Sequence, residues 1–183
     1  QLSPARKSVT GALLRAKALL EAAPATDAQA PTPTPTPPTT AQTPPAPAAP
    51  ACATMDAALP AGFTDWNGKA TLATAPSAEH LTHAALKLGK GYEVSLLNTP
   101  KVAMPVQPQK PGGSMAHAGL FSFTVETEGA YVVALATPAW IDVLEDGKAL
   151  EPTTFGHGPE CTSIRKMVVF QLKPGAHALQ VSG

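Results

Sequence analysis

The sequence predicts an all-β fold: an antiparallel, jelly-roll-like β-sandwich preceded by one N-terminal amphipathic helix and an extended proline-rich arm. Three observations predict it. Short alternations of apolar and polar residues recur through the second half of the chain, Gly and Pro turns separate them, and a proline run sets this part off from a cationic beginning. We therefore predict a helix over residues 1–23, an arm over residues 24–51 and a sandwich domain over residues 52–183.

The first part has the pattern of a helix that needs a partner. Ser3-Pro4 is a typical helix start, apolar residues follow at helical spacing with cations beside them, and Pro24 ends the pattern. A single helix of this length is marginal in water. It would pack on its own domain, in a groove of another protein, or on an anionic membrane surface through residues 1–23. The predicted partner-binding residues are Val9, Leu13, Ala16 and Leu20 on the stripe and Arg6, Lys7, Arg15 and Lys17 beside it.

The arm contains a run of prolines between residues 31 and 50. Each proline removes a backbone donor and restricts the residue before it, so polyproline II is the favoured conformation. At about 3.1 Å per residue, the stretch from Pro24 to Ala51 would span roughly 80 Å. The arm is therefore expected to act as a spacer, or as a strap along a partner.

The sandwich is predicted from strands at near-regular spacing. Asp146-Gly147 is typical of a two-residue hairpin and Lys173-Pro174-Gly175 of a type II turn, whereas residues 77–88 fit either helix or strand. The predicted strands cover residues 69–74, 92–96, 121–125, 131–135, 140–144, 164–172 and 177–181.

The pieces FSFTV, GAYVVAL, WIDV and LKPGAHALQVSG give residues 119–182 a resemblance to bacterial modules of the pre-peptidase C-terminal type. Those modules are β-sandwiches. The resemblance implies an accessory, non-catalytic module, and it transfers no site to this chain.

Composition bounds the partners and the compartment. The chain has 13 basic and 13 acidic residues, so no net field attracts nucleic acid, and no run of about 18 apolar residues exists to span a bilayer. The first residue, Gln1, fits a mature chain whose export signal has been removed. We expect an extracytoplasmic location, in the periplasm or cell envelope, and no cofactor.

Cys52 and Cys161 are the two cysteines. In an exported chain they most simply form a disulfide that ties the end of the arm to the sandwich. Free buried thiols are the alternative.

Few residues have the pattern of a chemical site. A copper or zinc site could be built from a His and Cys pair in a loop, or from two histidines on one face of a helix. The candidate ligands are His157, His117, His80 and His83. Asp142, Glu145 and Asp146 are expected at a solvated hairpin tip. Carbohydrate would need exposed aromatic rings, and Trp140 and Tyr131 fall in strand patterns typical of a core.

These observations predict a non-catalytic accessory or structural subunit, anchored through its helix and arm to protein subunits of a larger envelope assembly. The alternatives are a carbohydrate- or small-ligand-binding sandwich, and a metal-handling protein that uses loop His and Cys residues.

Overall fold

The computed structural model of the protein describes residues 7–15, 52–108 and 115–183, and this part of the chain is almost entirely β-strand. The predicted all-β class is confirmed. The helical segments described are two short 3-10 helices, Ala78–His83 and Thr99–Lys101. The strands are β1 (Lys7–Arg15), β2 (Ala70–Ala73), β3 (Gly91–Asn98), β4 (His117–Val125), β5 (Gly129–Leu135), β6 (Trp140–Glu145), β7 (Lys148–Ala149), β8 (Thr154–Gly156), β9 (Lys166–Leu172) and β10 (Gly175–Ser182).

The strands form two sheets in a sandwich-like arrangement. Sheet A has the order β2–β3–β1–β5–β9–β8, and sheet B has the order β7–β6–β10–β4. All neighbours are antiparallel except β2 and β3, which are parallel. The sheets join at one corner, where Leu97 near the end of β3 pairs with Ala118 near the start of β4.

Alternate residues of both sheets fill the space between them, as the period of two in the sequence predicts. Burying one large apolar side chain contributes about 1.5 to 3 kcal/mol relative to leaving it exposed, so this layer is a major stabilising contribution to the fold. Its members include Tyr92, Val94 and Leu96 of β3, Phe121, Phe123 and Val125 of β4, Tyr131, Val133 and Leu135 of β5, Ile141 and Val143 of β6, Val168, Phe170 and Leu172 of β9, and Leu179 and Val181 of β10.

Only one of the turn signals closes a hairpin. At Asp146-Gly147 both φ angles are positive, 51° and 74°, and Glu145 lies opposite Lys148 across a two-residue turn. Pro174-Gly175 instead carries the chain from β9 in sheet A to β10 in sheet B, and Gly129 begins β5 after the crossing from β4. Local turn chemistry therefore fixed where the chain bends, while core packing decided which strands became neighbours.

The helix predicted over residues 1–23 is wrong for residues 7–15, which form strand β1. β1 lies between β3 and β5 and hydrogen-bonds to both. Val9, Thr10 and Gly11 are weak helix formers, and an interior strand position gives the backbone groups partners on two sides. Residues 1–6 and 16–23 and the predicted arm over residues 24–51 lie outside the described part of the chain.

The predicted disulfide is present between Cys52 and Cys161, with a Cα–Cα distance of 5.3 Å and a sequence separation of 109. A crosslink that closes a loop of this size stabilises the fold by about 4 to 5 kcal/mol in the chain-entropy model. Hydrogen bonds continue the attachment, because the Asp56 carboxylate accepts from both the backbone N–H and the hydroxyl of Ser163 at 2.6 and 2.7 Å.

The disulfide begins a segment that covers the outer face of sheet A. We call residues 56–66 the cover segment. Its Phe63 and Trp66 are 1% exposed and pack with Val132 and Ala134 of β5. The indole N–H of Trp66 donates to Ser163 Oγ at 2.8 Å. Sheet A is therefore buried on both faces along β5.

The cover segment also reaches β3. The Gly91 N–H donates to Asp65 Oδ2 at 3.3 Å, and Lys90 forms an exposed ion pair with the same oxygen at 3.5 Å. A Cβ at residue 91 would lie 2.4 Å from the Asp65 carbonyl oxygen and 3.2 Å from the Trp66 Cα. Glycine is required here because backbone approaches backbone.

We therefore predict that Gly91→Ala lowers the free energy of unfolding by about 1 to 3 kcal/mol, as overpacking does, because the cover segment must move away from β3. The measurement is a urea transition followed by tryptophan fluorescence. Gly156→Ala is the matched control, since nothing lies within 4 Å of a Cβ there; its expected change is within about 0.5 kcal/mol. Equal transitions for the two variants would contradict the contact.

Candidate functional site

The candidate site is the strip of sheet A between β3 and β5, which we call the β1 slot. No register in the described residues pairs β3 with β5 directly; β1 lies between them and pairs antiparallel with each. Without β1, sheet A would consist of two pieces, β2–β3 and β5–β9–β8, each with an unpaired edge. The slot is thus a place where the fold requires an extended chain.

The register of β1 is staggered along the slot. Residues Lys7 to Ala12 pair with β3, from Leu96 back to Gly91, and residues Gly11 to Arg15 pair with β5, from Leu135 back to Tyr131. Gly11 and Ala12 are thus the two positions paired on both sides. A strand held in this way is specified by backbone hydrogen bonds over its whole length.

The two faces of the slot differ. On the face toward sheet B, the flanking side chains are apolar and buried: Tyr92, Val94 and Leu96 of β3, and Tyr131, Val133 and Leu135 of β5. The register places Val9 opposite Val94 and Leu13 opposite Val133. On the other face, the cover segment contacts both flanking strands, through Trp66 on β5 and Asp65 at the start of β3.

Contacts other than β1 also hold the walls of the slot. The Lys87 N–H donates to the Tyr92 hydroxyl at 2.9 Å, and the Tyr131 hydroxyl donates to the Thr127 carbonyl at 2.7 Å. β3 pairs with β2 and β4 at its other edge, and β5 pairs with β9. The residues that flank the slot are thus positioned by the rest of the sandwich.

Such a slot can recognise an extended peptide. Main-chain hydrogen bonds supply affinity in strand addition, and pockets for alternate side chains supply specificity. The acceptable segment is one of about nine residues with apolar side chains at alternate positions and no proline in its interior, since proline cannot complete a ladder.

The predicted partner-binding residues are divided by the structure. Lys7, Val9, Leu13 and Arg15 lie on β1, whereas Arg6, Ala16, Lys17 and Leu20 lie outside the described residues. A helical stripe is therefore not what β1 presents. Contact of these eight residues with a partner stays a prediction.

The metal candidates are not brought together. His80 and His83 lie on the exposed 3-10 helix, where Ser77 Oγ and His80 Nδ1 are 2.8 Å apart. His157 Nδ1 lies 3.2 Å from the Arg165 carbonyl oxygen, and His117 begins β4 on the other sheet. Among the residues that the structure describes, no group of three or more His, Cys, Asp or Glu side chains is placed to hold a metal ion.

The aromatic rings give little surface for stacking on a sugar. Trp66 and Tyr131 are 1% and 2% exposed, Tyr92 is 9% exposed, and Trp140 is half-buried beneath the Lys166 ammonium. Phe155 on the edge strand β8 is 76% exposed, and it stands apart from these four. The carbohydrate-binding alternative therefore has no aromatic platform among the tryptophans and tyrosines.

A buried polar cluster was missed by the sequence reasoning. The prediction that Asp142 lies at a solvated hairpin tip is wrong. Asp142 is only 8% exposed, and it lies on the face of sheet B away from the core. Trp140 Nε1 donates to its Oδ1 at 2.8 Å and Gln180 Nε2 to its Oδ2 at 3.0 Å. Gln180 Nε2 also donates to the Val106 carbonyl at 2.9 Å, which ties the proline-rich loop to sheet B.

Burial dominates the electrostatics of this cluster. Desolvation raises the pKa of Asp142 above its ordinary value of 3.8, against the hydrogen bonds from Trp140 and Gln180 and the charge of Lys166. Desolvation likewise lowers the pKa of Lys166, against the attraction of Asp142. The available signal was alternation: Asp142 lies between Ile141 and Val143, so it must face the opposite side of β6 from the core.

We predict that Ala12→Pro lowers stability by several kcal/mol, because position 12 is paired on both sides and proline removes a ladder hydrogen bond in an interior strand. The measurement is the urea midpoint of the whole chain. Ala46→Pro, the same change within the proline-rich stretch, is the control and should leave the midpoint within about 0.5 kcal/mol of wild type. A tolerated proline at position 12 would show that β1 is not required in the slot.

We also predict a pH dependence from Asp142. Its folded pKa is raised, so the folded state retains the proton over a range in which the unfolded chain has lost it, and stability falls as pH rises through and above 3.8. Asn does not titrate. The stability of wild type relative to Asp142→Asn should therefore decrease from about pH 3 to about pH 7. Asp146→Asn, on the neighbouring turn, controls for loss of one negative charge. A difference that moves in the opposite direction would mean that the folded site favours the carboxylate.

In the ranges that the structure covers, no helix has the length and apolar character needed to cross a membrane. Compared with known proteins, the chain matches no family model, no curated protein and no solved structure. The resemblance of residues 119–182 to pre-peptidase C-terminal modules therefore stays a prediction.

Proposed function

We propose that this protein is a non-catalytic, extracytoplasmic structural or accessory subunit that joins a larger envelope assembly through its N-terminal segment and proline-rich arm. One observation carries the proposal: the segment before the arm supplies an interior strand of sheet A. The strand that completes the sheet, residues 7–15, is separated from the rest of the domain by 36 residues, 16–51. A chain built in this way has a means of joining a second protein through backbone pairing.

The compartment is supported by the disulfide. Cys52 and Cys161 are bonded, and disulfides persist in oxidising environments such as the periplasm and the cell surface. The proposal places the protein in the periplasm or cell envelope. It also assigns the scaffold to the jelly-roll type, since the chain passes between the two sheets repeatedly, after β3, β4, β5, β7 and β9.

A non-catalytic role fits the chemistry of the buried polar groups. Both carboxylate oxygens of Asp142 accept hydrogen bonds from side chains, and Lys166 donates to the Ala139 carbonyl at 2.9 Å. These hydrogen bonds connect a loop to sheet B and connect sheet A to sheet B. We therefore assign these groups a structural role and assign no reaction to the chain.

The test is crosslinking mass spectrometry on the native complex, extracted from the source membrane and envelope with mild detergent. We expect amine-reactive crosslinks from Lys7 and Lys17 to defined protein subunits in constant ratio. The doubly substituted Lys7→Arg, Lys17→Arg chain is the matched control, because it keeps both charges and loses both reactive amines. A monomer whose crosslinks all remain within one chain would contradict the proposal.

A further inference from the structure

We propose that the β1 slot is a strand-exchange site, and that its occupant in the assembly is the β1 segment of a second copy of this chain. The inference rests on the proposed structural role and names the partner. In the exchanged form, residues 7–15 of one copy pair with β3 and β5 of the next, in the register seen within one chain.

The connection between β1 and the rest of the domain is long enough to reach a second copy. The 36 positions between Arg15 and Cys52 include ten of the chain's 21 prolines. At about 3.1 Å per residue, an extended proline-rich chain of this length spans roughly 110 Å. A compact domain of this size is about 35 to 40 Å across by the usual scaling of radius of gyration with length. The connection is thus long enough to carry β1 past its own domain to a neighbour.

The shape of the slot does not depend on β1 of the same chain. The disulfide fixes Cys52 to Cys161, five residues before β9, and the cover segment runs from there across β5 to Gly91 at the start of β3. These contacts stay in place when β1 leaves. The walls remain positioned while their edge hydrogen-bonding groups become available, and a strand is the element that satisfies such groups.

The β1 segment of a second copy already fits the slot. Exchange preserves the register, so Val9 is still paired with Val94 and Leu13 with Val133. No new complementarity is needed, whereas a foreign segment would have to reproduce it. The formal net charge of zero means that copies do not repel one another through their overall field.

The length of the connection also lowers the local concentration of β1 at the slot of its own chain. A tether favours its own strand only through effective concentration, which falls steeply once the linker is longer than the span it must cross. A long proline-rich connection therefore weakens self-insertion relative to a short loop. In an assembly where copies are crowded together, insertion into a neighbour competes with it, and it produces a closed dimer or an open chain according to geometry.

The experiment uses two full-length chains, each with one new cysteine. Ser8 and Ser95 lie opposite one another in the register, and Ser→Cys changes little in size. One chain carries Ser8→Cys and the other, made heavier by a tag, carries Ser95→Cys. They are mixed over a range of concentrations, allowed to exchange in moderate urea, returned to buffer and oxidised. A bond between positions 8 and 95 in this mixture must join two chains.

We expect a mixed disulfide dimer, identified by peptide mass spectrometry, whose yield at low occupancy rises roughly tenfold for a tenfold rise in concentration. Replacing Ser95→Cys with Ala178→Cys on β10 of the other sheet is the mismatched control and should give only background crosslinking. Adding Ala12→Pro to the Ser8→Cys chain should abolish the dimer.

A chain with both Ser8→Cys and Ser95→Cys separates the remaining outcomes. If this chain closes its own bond at every concentration and the mixture never crosslinks, the slot takes only its own strand and the exchange proposal is overturned. If neither forms the bond, β1 does not occupy the slot, and exchange is overturned as well. In the first case the structural role keeps the strand observation that supports it. In the second case it loses that observation and depends on native crosslinks from Lys7 and Lys17 to a different subunit, so the two proposals are tested separately.

Discussion

The structure depends on completing the backbone hydrogen bonds of β3 and β5. These two strands carry core residues on their inner face, yet they pair through a third strand and not with each other. Buried N–H and C=O groups without partners are costly, so the sheet has to recruit an extended segment from elsewhere in the chain. The segment recruited comes from before the proline-rich stretch, and the centre of sheet A thereby depends on residues distant in sequence.

The remaining contacts around this strip hold the flanking strands at the spacing that an inserted strand needs. The disulfide, the Asp56–Ser163 hydrogen bonds and the packing of Trp66 place the cover segment along the outside of β5. The close backbone contact at Gly91 extends that cover to β3. A single covalent bond near the end of the arm therefore serves both the stability of the domain and the definition of its strand-binding site.

Sheet B is completed in a different way from sheet A. Its outer face is closed by a loop and a polar cluster, in which Gln180 joins the Val106 carbonyl to Asp142, and Lys166 approaches the Trp140 ring to 5.2 Å. A buried carboxylate with two side-chain donors fixes geometry at a desolvation cost. The two sheets thus differ. The outer face of sheet B is covered by a loop and by polar side chains, whereas the middle of sheet A is filled by a strand that a long connection joins to the domain.

The sequence by itself determined the all-β class, the disulfide, the Asp146-Gly147 hairpin and the core face of most strands, because each of these follows from local alternation, turn chemistry or the pairing of two cysteines. Tertiary structure decided what local pattern could not. Residues 7–15 have apolar spacing that suits a helix, and they are a strand because β3 and β5, about 80 and 120 residues away, offer hydrogen-bonding edges on both sides. Asp142 is a charged residue of a type common in turns, yet it is buried, because Trp140 and Gln180 on the same face of sheet B donate hydrogen bonds to its carboxylate. Pairing partners and burial depend on contacts distant along the chain, and only the folded sheets bring those contacts together.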